Sequence, residues 1–426
     1  MSTHQQSKRA AAAAFLGTTI EFYDFYVYAT AAALALGQVF FPAGDDPVMN
    51  TLKAFGTFAV GFLARPLAGL VFGHLGDRLG RKKMLIFTML LMGIATTGIG
   101  LIPSYSEIGV AAPILLVVFR FLQGISVGGE WGGAVLMASE HAPEGKKTFF
   151  ASFAQLGSPA GLILCILAFR SVSGLDEEAF LSWGWRVPFL LSAVLLIVGF
   201  IIRVGVKESP EFEKTKQNDA IVANPVAVVV KKYWREIIFS ALAVTIGSAG
   251  FFFTNTFMIS YVTQYQGIEK KVILDALFWV TVCQFLTMPI FAWLSEKVGV
   301  YHFLAGCALF CVFTPYPMFL LVETKNLLLI VSGIALAVVA LSALYAAVAG
   351  YMAQAFPTQL RYSGISIAYQ LSAALAGGTT PLIGTWLAQQ YVGQWFPLAI
   401  MFSVLSLMSL VGVLGVHSAR KKQQNS

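Results

Sequence analysis

Gly73-His74-Leu75-Gly76-Asp77-Arg78-Leu79-Gly80-Arg81-Lys82 closes one long apolar run and opens the next. With Lys83, it sets four bases around a single acid, and three glycines punctuate it. Such a segment reads as the tight basic loop between two membrane-embedded helices, since short loops rich in Lys and Arg stay on the cytoplasmic side. The chain is expected to turn at Gly76 and Gly80, with Asp77 facing Arg78, Arg81 and Lys82.

Working outward from this loop, apolar runs of spanning length recur along the whole chain. Their expected extents are 10–38, 52–75, 83–103, 112–139, 148–169, 186–206, 236–263, 272–295, 301–322, 327–354, 363–389 and 396–417. A spanning helix needs roughly 20 apolar residues, and the 426 residues accommodate twelve of them with short connections. Hydrophobic residues make up 57% of the chain and charged residues only 12%. A soluble fold has too little interior for that much apolar surface, since single cores stop growing near ~250–300 residues. Disorder needs the opposite composition. The fold class is therefore an all-α membrane protein of twelve transmembrane helices in two six-helix halves. The polar stretch 207–235 is the longest connection and divides the chain into an N-terminal half, 1–206, a central loop, 207–235, and a C-terminal half, 236–426. The opening motif has a weak copy: Leu294-Ser295-Glu296-Lys297-Val298-Gly299-Val300-Tyr301 follows the eighth run, with acid, base and glycine in register. The copy lacks the terminal Arg-Lys, so it is expected to hold more weakly. Internal repeats of this kind are common in transporters.

Placing the N-terminus inside puts 20 Lys and Arg in inner segments, Arg203 among them, and 6 in outer ones; Arg65 and Arg120 lie within spans. Both termini are then cytoplasmic. The basic excess, +7 overall, is spent on topology, and no nucleic-acid partner is expected. The first run carries Glu21 and Asp24 and no cleavage site, so it reads as a retained helix. Cys165, Cys283, Cys307 and Cys311 all lie in apolar runs, so no disulfide is expected, and Cys307 with Cys311 reads as helix packing rather than a metal site. There is no phosphate-binding G-x-x-x-x-G-K-[ST] stretch and no Ser/His/Asp or His/Cys cluster. The expectation is a protein that is not an enzyme and needs no cofactor.

Ionisable residues within spans cost a few kcal/mol each, roughly 2.5–3.5 on insertion scales, and mark function by default. Glu21, Asp24, Arg65, Arg120 and Glu130 are such residues, all in the first half. Glu21 and Asp24 share a helix face with Tyr28. Two carboxylates so close in low dielectric do not readily both ionise, which suits a proton carrier; pairing with an arginine is the structural alternative. Arg120 and Gln123 share a face of the fourth helix, where Arg120 pairs with Asp24 or binds a carboxylate. Arg65 reads either as a second anion contact or as a structural base. Glu130 reads either as a proton-path residue or as the partner of a nearby base. Gly128, Gly129, Gly132 and Gly133 around it form two overlapping GxxxG patterns that permit close helix approach. The second half offers neutral polar groups for substrate recognition: Asn255, Tyr261, Gln284, Tyr345, Gln354, Tyr369 and Gln370. Interhelical hydrogen bonding is the competing reading for each. Trp183, Trp185 and Trp395 are expected at the membrane interface, and Phe251-Phe252-Phe253 in lipid or core packing rather than in a substrate site.

Gly73–Lys82 resembles the signature loop of the major facilitator superfamily. Further stretches narrow the likeness: Glu21-Phe22-Tyr23-Asp24-Phe25, Ala64-Arg65-Pro66, Arg120-Phe121-Leu122-Gln123-Gly124, Gly128-Gly129-Glu130-Trp131-Gly132-Gly133, Trp183-Gly184-Trp185-Arg186-Val187-Pro188-Phe189, Glu208-Ser209-Pro210-Glu211-Phe212, Phe356-Pro357-Thr358 and Arg361-Tyr362-Ser363-Gly364. Over nearly the whole chain these resemble the metabolite:proton symporter family, whose members carry shikimate, 2-oxoglutarate, citrate, tricarballylate or proline and betaine.

The resemblance implies a monomeric secondary transporter of the inner membrane that moves a small polar metabolite, an organic acid by preference, together with a proton. It implies that Gly73, Gly76, Asp77, Arg78, Gly80, Arg81 and Lys82 clamp the two halves in one conformation. By likeness to sugar–proton symporters of the superfamily, Asp24 and Arg120 are expected to approach each other. Two rival readings are a proline/betaine carrier and an efflux antiporter. The proline/betaine branch carries a long C-terminal extension that this sequence is not expected to have. Gly157-Ser158-Pro159-Ala160-Gly161 only loosely echoes the antiporter's fifth-helix motif.

Overall fold

The structure, a computed structural model, describes residues 3–42, 47–172, 174–218, 220–258, 261–263, 267–268 and 270–424. Twelve long helices organise it: α1 Thr3–Ala31, α2 Pro47–Leu79, α3 Arg81–Leu101, α4 Ala111–Glu140, α5 Lys147–Val172, α6 Arg186–Val204, α7 Trp234–Phe252, α8 Lys270–Val298, α9 Val300–Phe313 with its continuation Pro315–Glu323, α10 Leu327–Ala353, α11 Arg361–Ser372 with its continuation Thr380–Gln390, and α12 Phe396–Gln424. Two short helices, Pro210–Gln217 and Pro225–Lys232, occupy the central connection. Both begin with proline after a side-chain cap, Ser209 and Asn224, as proline at the first helical position favours. Among the described residues, nine of the long helices are apolar enough along their length to cross a membrane; α1, α2 and α11 are not among them. Those three carry residues that a lipid-facing helix avoids: Glu21 and Asp24 in α1, Arg65 in α2, and the Gly377-Gly378-Thr379 interruption in α11. α1 is buried along most of its length, so protein rather than lipid surrounds its acids.

Within the first half, α1 packs on α5, α2 on α4, and α3 on α4 and α6. In the second half α7 packs on α12 and α11, α8 on α10, and α9 on α12 and α10. The halves meet through α2 against α11 and through α5 against α8 and α10. Close approach of α4 to α2 and to α11 depends on glycine. A side chain at Gly128 would run into Ala68 and one at Gly132 into Ser366, so the α4 stripe admits α2 on one side and α11 on the other. This bears on the GxxxG reading directly.

Some expectations change. Gly76 is not a turn. α2 continues to Leu79, and Gly76 is bare because the Tyr362 ring lies where its side chain would stand. The turn is at Gly80 alone, whose φ of 110° suits only glycine. Gly299, with φ 96°, does the same between α8 and α9. Trp185 is fully buried rather than interfacial, because Phe40, nine residues beyond the end of α1, and Phe189, one turn into α6, enclose its ring. Arg203, assigned above to an inner segment, is buried within α6. The four cysteines are free thiols.

Candidate functional site

Between the halves lies a cavity lined by α1, α2, α5, α7, α8, α10 and α11. One wall is aromatic. Phe22, Phe25 and Tyr26 of α1 meet Phe251 and Phe252 of α7, with Tyr26 against Phe251 at 5.8 Å and Phe25 against Phe252 at 6.3 Å between ring centroids. Phe251 and Phe252 therefore line the cavity, against the expectation of lipid or core packing; only Phe253 joins the core, against Phe257 and Phe402. The α1 and α7 faces are brought together by the pseudo-symmetric bundle, which no local pattern at 251–253 reveals. The rest of the lining supplies polar groups: Ser158, Ser248, Asn255, Gln284, Tyr345 and Tyr369. Tyr345 and Tyr369 share a hydroxyl–hydroxyl hydrogen bond of 3.1 Å, as do Tyr26 and Ser158.

Arg65 is the one ionic side chain in that lining among the described residues. Its guanidinium lies 4.4 Å from the Phe62 ring centroid and 4.9 Å from that of Phe25. Cation–π contacts hold the plane of the guanidinium without consuming its donors. A guanidinium so placed suits an acceptor of the carboxylate kind.

Of the eleven residues read from the sequence as substrate contacts, five line the cavity: Arg65, Asn255, Gln284, Tyr345 and Tyr369. The other six, Arg120, Gln123, Tyr28, Tyr261, Gln354 and Gln370, do not line it, and each has a structural contact; Gln354 is exposed at the end of α10 and accepts from Arg420 at 3.5 Å. Arg120 donates to Gln123 Oε1 at 3.0 Å and sits 4.3 Å over the Tyr28 ring. Gln123 donates to Thr96 at 2.7 Å, Tyr28 bonds Thr57, and Gln370 donates to the carbonyl of Val127 at 3.2 Å. Tyr261 packs on Phe257 and Phe319.

The expected Asp24–Arg120 approach is not found here. Asp24 turns toward α6, where it accepts from Ser192 Oγ at 2.6 Å, and its second oxygen is buried without a partner. Arg120 instead turns toward Tyr28 and packs against Gly61 of α2. Glu130, whose reading was open, is held by Arg203. The pair is fully buried, Thr88 donates to the same carboxylate at 2.7 Å, and Arg203 also donates to the carbonyl of Leu85. Gly17 of α1 leaves the space that the Arg203 guanidinium fills. Arg203 was missed because charge counting treats a base near a span end as a loop residue. Glu21 is buried on α1, and one of its carboxyl oxygens has no partner.

Two residues unforeseen as a site close the cavity on the side of the Gly73–Lys82 loop. Trp131 stacks face to face on Tyr369, with 3.8 Å between centroids and an 11° interplanar angle. Its indole N–H donates to Gln155 at 2.7 Å, and Gln155 donates to the carbonyl of Tyr345 at 2.9 Å. Trp131, Gln155, Tyr345 and Tyr369 thus close a ring of contacts from both halves, one of them to a backbone carbonyl, that backs the two lining tyrosines as a floor.

Beyond the floor the halves are tied by charge. Asp77 accepts from the backbone N–H groups of Tyr362 and Ser363 at 3.2 and 2.9 Å, capping the start of α11. A carboxylate suits a helix N-terminus, where N–H groups are unsatisfied and the dipole is positive. Arg81 donates to the carbonyls of Gly76 and Thr358 at 3.2 and 2.9 Å and lies 3.5 Å from Asp77. Lys82 Nζ donates to the carbonyl of Val204 at 2.8 Å. Gly73 makes room for the backbone of Ser363. Arg78 is exposed, near His74, and makes no contact with the other half among the described residues. Arg361 of α11 bonds Glu140 at 3.0 Å and pairs with Glu211, which also takes Lys147 at 2.6 Å. At Glu211, burial favours the neutral acid, but Arg361 and Lys147 outweigh it and pull its pKa down to about 2 from 4.5. A depressed acid pKa adds stability above the unfolded value, lost only as pH falls from 4.5 toward 2. The contact therefore stays charged at neutral pH.

The degenerate copy also reaches the other half. Glu296 accepts from the backbone N–H of Phe149 at 2.8 Å, at the start of α5. It does at α5 what Asp77 does at α11. The acid and the glycine suffice for this geometry, so the lost Arg-Lys does not abolish it.

The family described as "Sugar (and other) transporter" matches residues 10–421. The shikimate transporter of Escherichia coli K12 is 38% identical over 98% of this chain and 96% of its own length. The proline/betaine transporter of the same organism is 34% identical over 97% of this chain and 84% of its own. Among solved structures, the proton:xylose symporter XylE bound to 6-bromo-6-deoxy-D-glucose superposes with a TM-score of 0.73 at 18% identity, covering 97% of this chain and 95% of that one.

Proposed function

Because this chain belongs to the sugar (and other) transporter family of the major facilitator superfamily, and is a multi-pass membrane transporter rather than an enzyme, we propose that it is a symporter coupling a small organic acid to protons. The observation that carries the reading is Arg65, a cation with its plane fixed by two aromatic rings, in the lining of a cavity where the two halves meet. Midplane cavities between repeats are where such transporters bind substrate. The names of two relatives, a shikimate and a proline/betaine transporter, set the rival substrates, an acid and a zwitterion. A single cation in the lining, with no acid among the lining residues, favours the acid over the zwitterion.

The coupling proton is carried on the face of α1 formed by Glu21 and Asp24, each with an unpartnered carboxyl oxygen. Glu130 is assigned instead to Arg203 as a structural pair, and Arg120 to positioning through Tyr28 and Gln123. The protein works in the inner membrane as a monomer, with both termini and the clamp of Asp77, Arg81 and Arg361 on the cytoplasmic side; Lys82 instead braces α3 against α6 within the first half. The domain division is 1–206, 207–235 and 236–426. With the cytoplasmic ties formed, this conformation exposes the cavity to the outside or to neither side. A cysteine replacing Lys270, whose side chain lies outside the described residues, is expected to react with an impermeant thiol reagent in intact cells; reaction only after permeabilisation would reverse the orientation.

Counterflow in proteoliposomes with a panel of organic acids tests the function. Uptake is expected to favour a carboxylate over its amide or methyl ester. Arg65→Gln is expected to raise the KM for the acid at least about tenfold, the loss of a charge-assisted hydrogen bond of about 1.5–3 kcal/mol. Equal transport of the neutral analogue, or an unchanged KM in Arg65→Gln, would overturn the anion reading.

A further inference from the structure

Glu21 stands on α1 between two buried arginines. One turn before it, Gly17 abuts the Arg203 guanidinium. One turn after it, Phe25 carries the Arg65 guanidinium on its ring, 4.9 Å from the centroid. Residues four apart share a helix face, so Glu21 lies on the face of α1 that meets both bases and feels both charges, with no ion pair to either among the described residues. Those bases are not equivalent. Arg203 is already matched by Glu130, with Thr88 completing the carboxylate's bonds. Arg65 lines the cavity, with aromatic rings against its guanidinium. Glu21 itself is buried, with one carboxyl oxygen that no hydrogen bond reaches. The charged and titratable groups that act on it are Arg65 of α2, Glu130 of α4, Arg203 of α6, Asp24 of its own helix, and Tyr345 and Tyr369 across the cavity.

We propose that Glu21 is the counter-charge of Arg65 in the empty transporter, and that a proton on Glu21 and the carboxylate of a monoanionic substrate on Arg65 replace that pairing together. The proposal rests on the reading of this cavity as an organic-acid site. The balance is simple. In the empty state Glu21 is ionised and Arg65 is compensated. When a proton from outside binds the Glu21 carboxylate, Arg65 is left as an uncompensated buried cation, which is costly. The substrate's carboxylate removes that cost. One positive and one negative charge enter together, so the occupied site has the same net charge as the empty one. An anion arriving while Glu21 is ionised meets two negative charges on one arginine and is rejected, while a proton arriving alone strands Arg65. Each ligand raises the affinity for the other, and by the same factor, as linkage requires. Substrate class follows as well: a monocarboxylate satisfies the site, while a dicarboxylate brings a second charge for which the lining has no partner.

The test uses the full-length protein in proteoliposomes, with a panel of monocarboxylates that includes shikimate and with the acid of strongest counterflow as the probe. Wild-type affinity for the probe is expected to fall about tenfold for each pH unit on the alkaline side, the slope of one proton bound with one substrate. Glu21→Gln, which mimics the protonated acid, is expected to bind with the tight low-pH affinity at every pH, and Glu21→Asp to restore the slope. A general structural defect would change affinity without removing its pH dependence. A second measurement needs no variant: accumulation of the probe by the wild type under a pH gradient is expected to be unchanged by a potassium-diffusion potential, negative inside. Glu21→Gln with the wild-type slope, or accumulation driven by the potential alone, overturns the proposal while leaving acid transport standing. No counterflow of any acid by the wild type overturns the transport reading, and this proposal falls with it.

Discussion

Asp24→Asn is expected to exchange labelled for unlabelled substrate across the membrane and to fail entirely to accumulate it under a pH gradient. Asp24 is fully buried, accepts one hydrogen bond from Ser192, and forms no ion pair among the described residues. An ionised carboxylate in that position lacks the partners that burial demands, so taking up a proton is the available compensation. It lies three residues beyond Glu21 on the same helix face, on the outer side of it in the proposed orientation. That makes it the station through which a proton reaches and leaves Glu21. Asparagine keeps the acceptor for Ser192 and cannot release a proton. Exchange, which returns the carrier loaded each time, needs no release and survives; net uphill transport needs release in every cycle and stops. The readout is the accumulation ratio with protons as the only driving force. A ratio above one in Asp24→Asn would remove Asp24 from the coupling path.

Arg203→Ala is expected to cost about 3–5 kcal/mol of stability, the penalty for leaving one partner of a buried ion pair alone. Here the stranded group is Glu130, with only Thr88 left to donate to it. The vacated space beside Gly17 also becomes a cavity between α1, α3 and α6. Replacing both charges, with Arg203→Met and Glu130→Leu, is expected to recover most of that loss, because paired removal leaves no unmatched charge. Thermal unfolding in detergent reads both. An Arg203→Ala protein that melts with the wild type would show that the pair is not structural, and would return Glu130 to the candidates for proton transfer.

The two expectations part Glu130 from Asp24, which sequence reading could not do. Both are acids in apolar runs of the first half, and composition penalises them equally. What separates them is which base the fold delivers. Arg203 stands near the end of its run, where charge counting takes it for a topology signal, yet α6 carries it inward to Glu130. Arg120 stands mid-run and invites pairing with Asp24, yet it is turned to Tyr28 and Gln123. The ionic partners of buried residues are long-range facts, set by helix rotation and crossing, and no spacing along one helix encodes them.

Much was legible without coordinates. Hydrophobic runs are read directly as helices because lipid forces every backbone group to bond within its own segment. The six-plus-six arrangement, the loop at Gly73–Lys82 and its copy at Leu294–Tyr301 follow from that and from glycine, whose positive φ at Gly80 and Gly299 no other residue adopts cheaply. Arg65, Asn255, Gln284, Tyr345 and Tyr369 were recognisable as polar groups in an apolar setting, and they line one cavity. Tertiary structure alone decided the rest. It placed Phe251 and Phe252 in that cavity, stacked Trp131 on Tyr369 beneath it, and made Glu296 cap α5 as Asp77 caps α11. Each joins residues from different helices, most of them across the two halves, so each depends on how helices pack rather than on what any one of them contains. Local sequence sets which segments enter the membrane and how each turns, because backbone hydrogen bonding there is satisfied locally. Which side chains then meet is set by close packing between helices, where small residues such as Gly128 and Gly132 decide how near the backbones come.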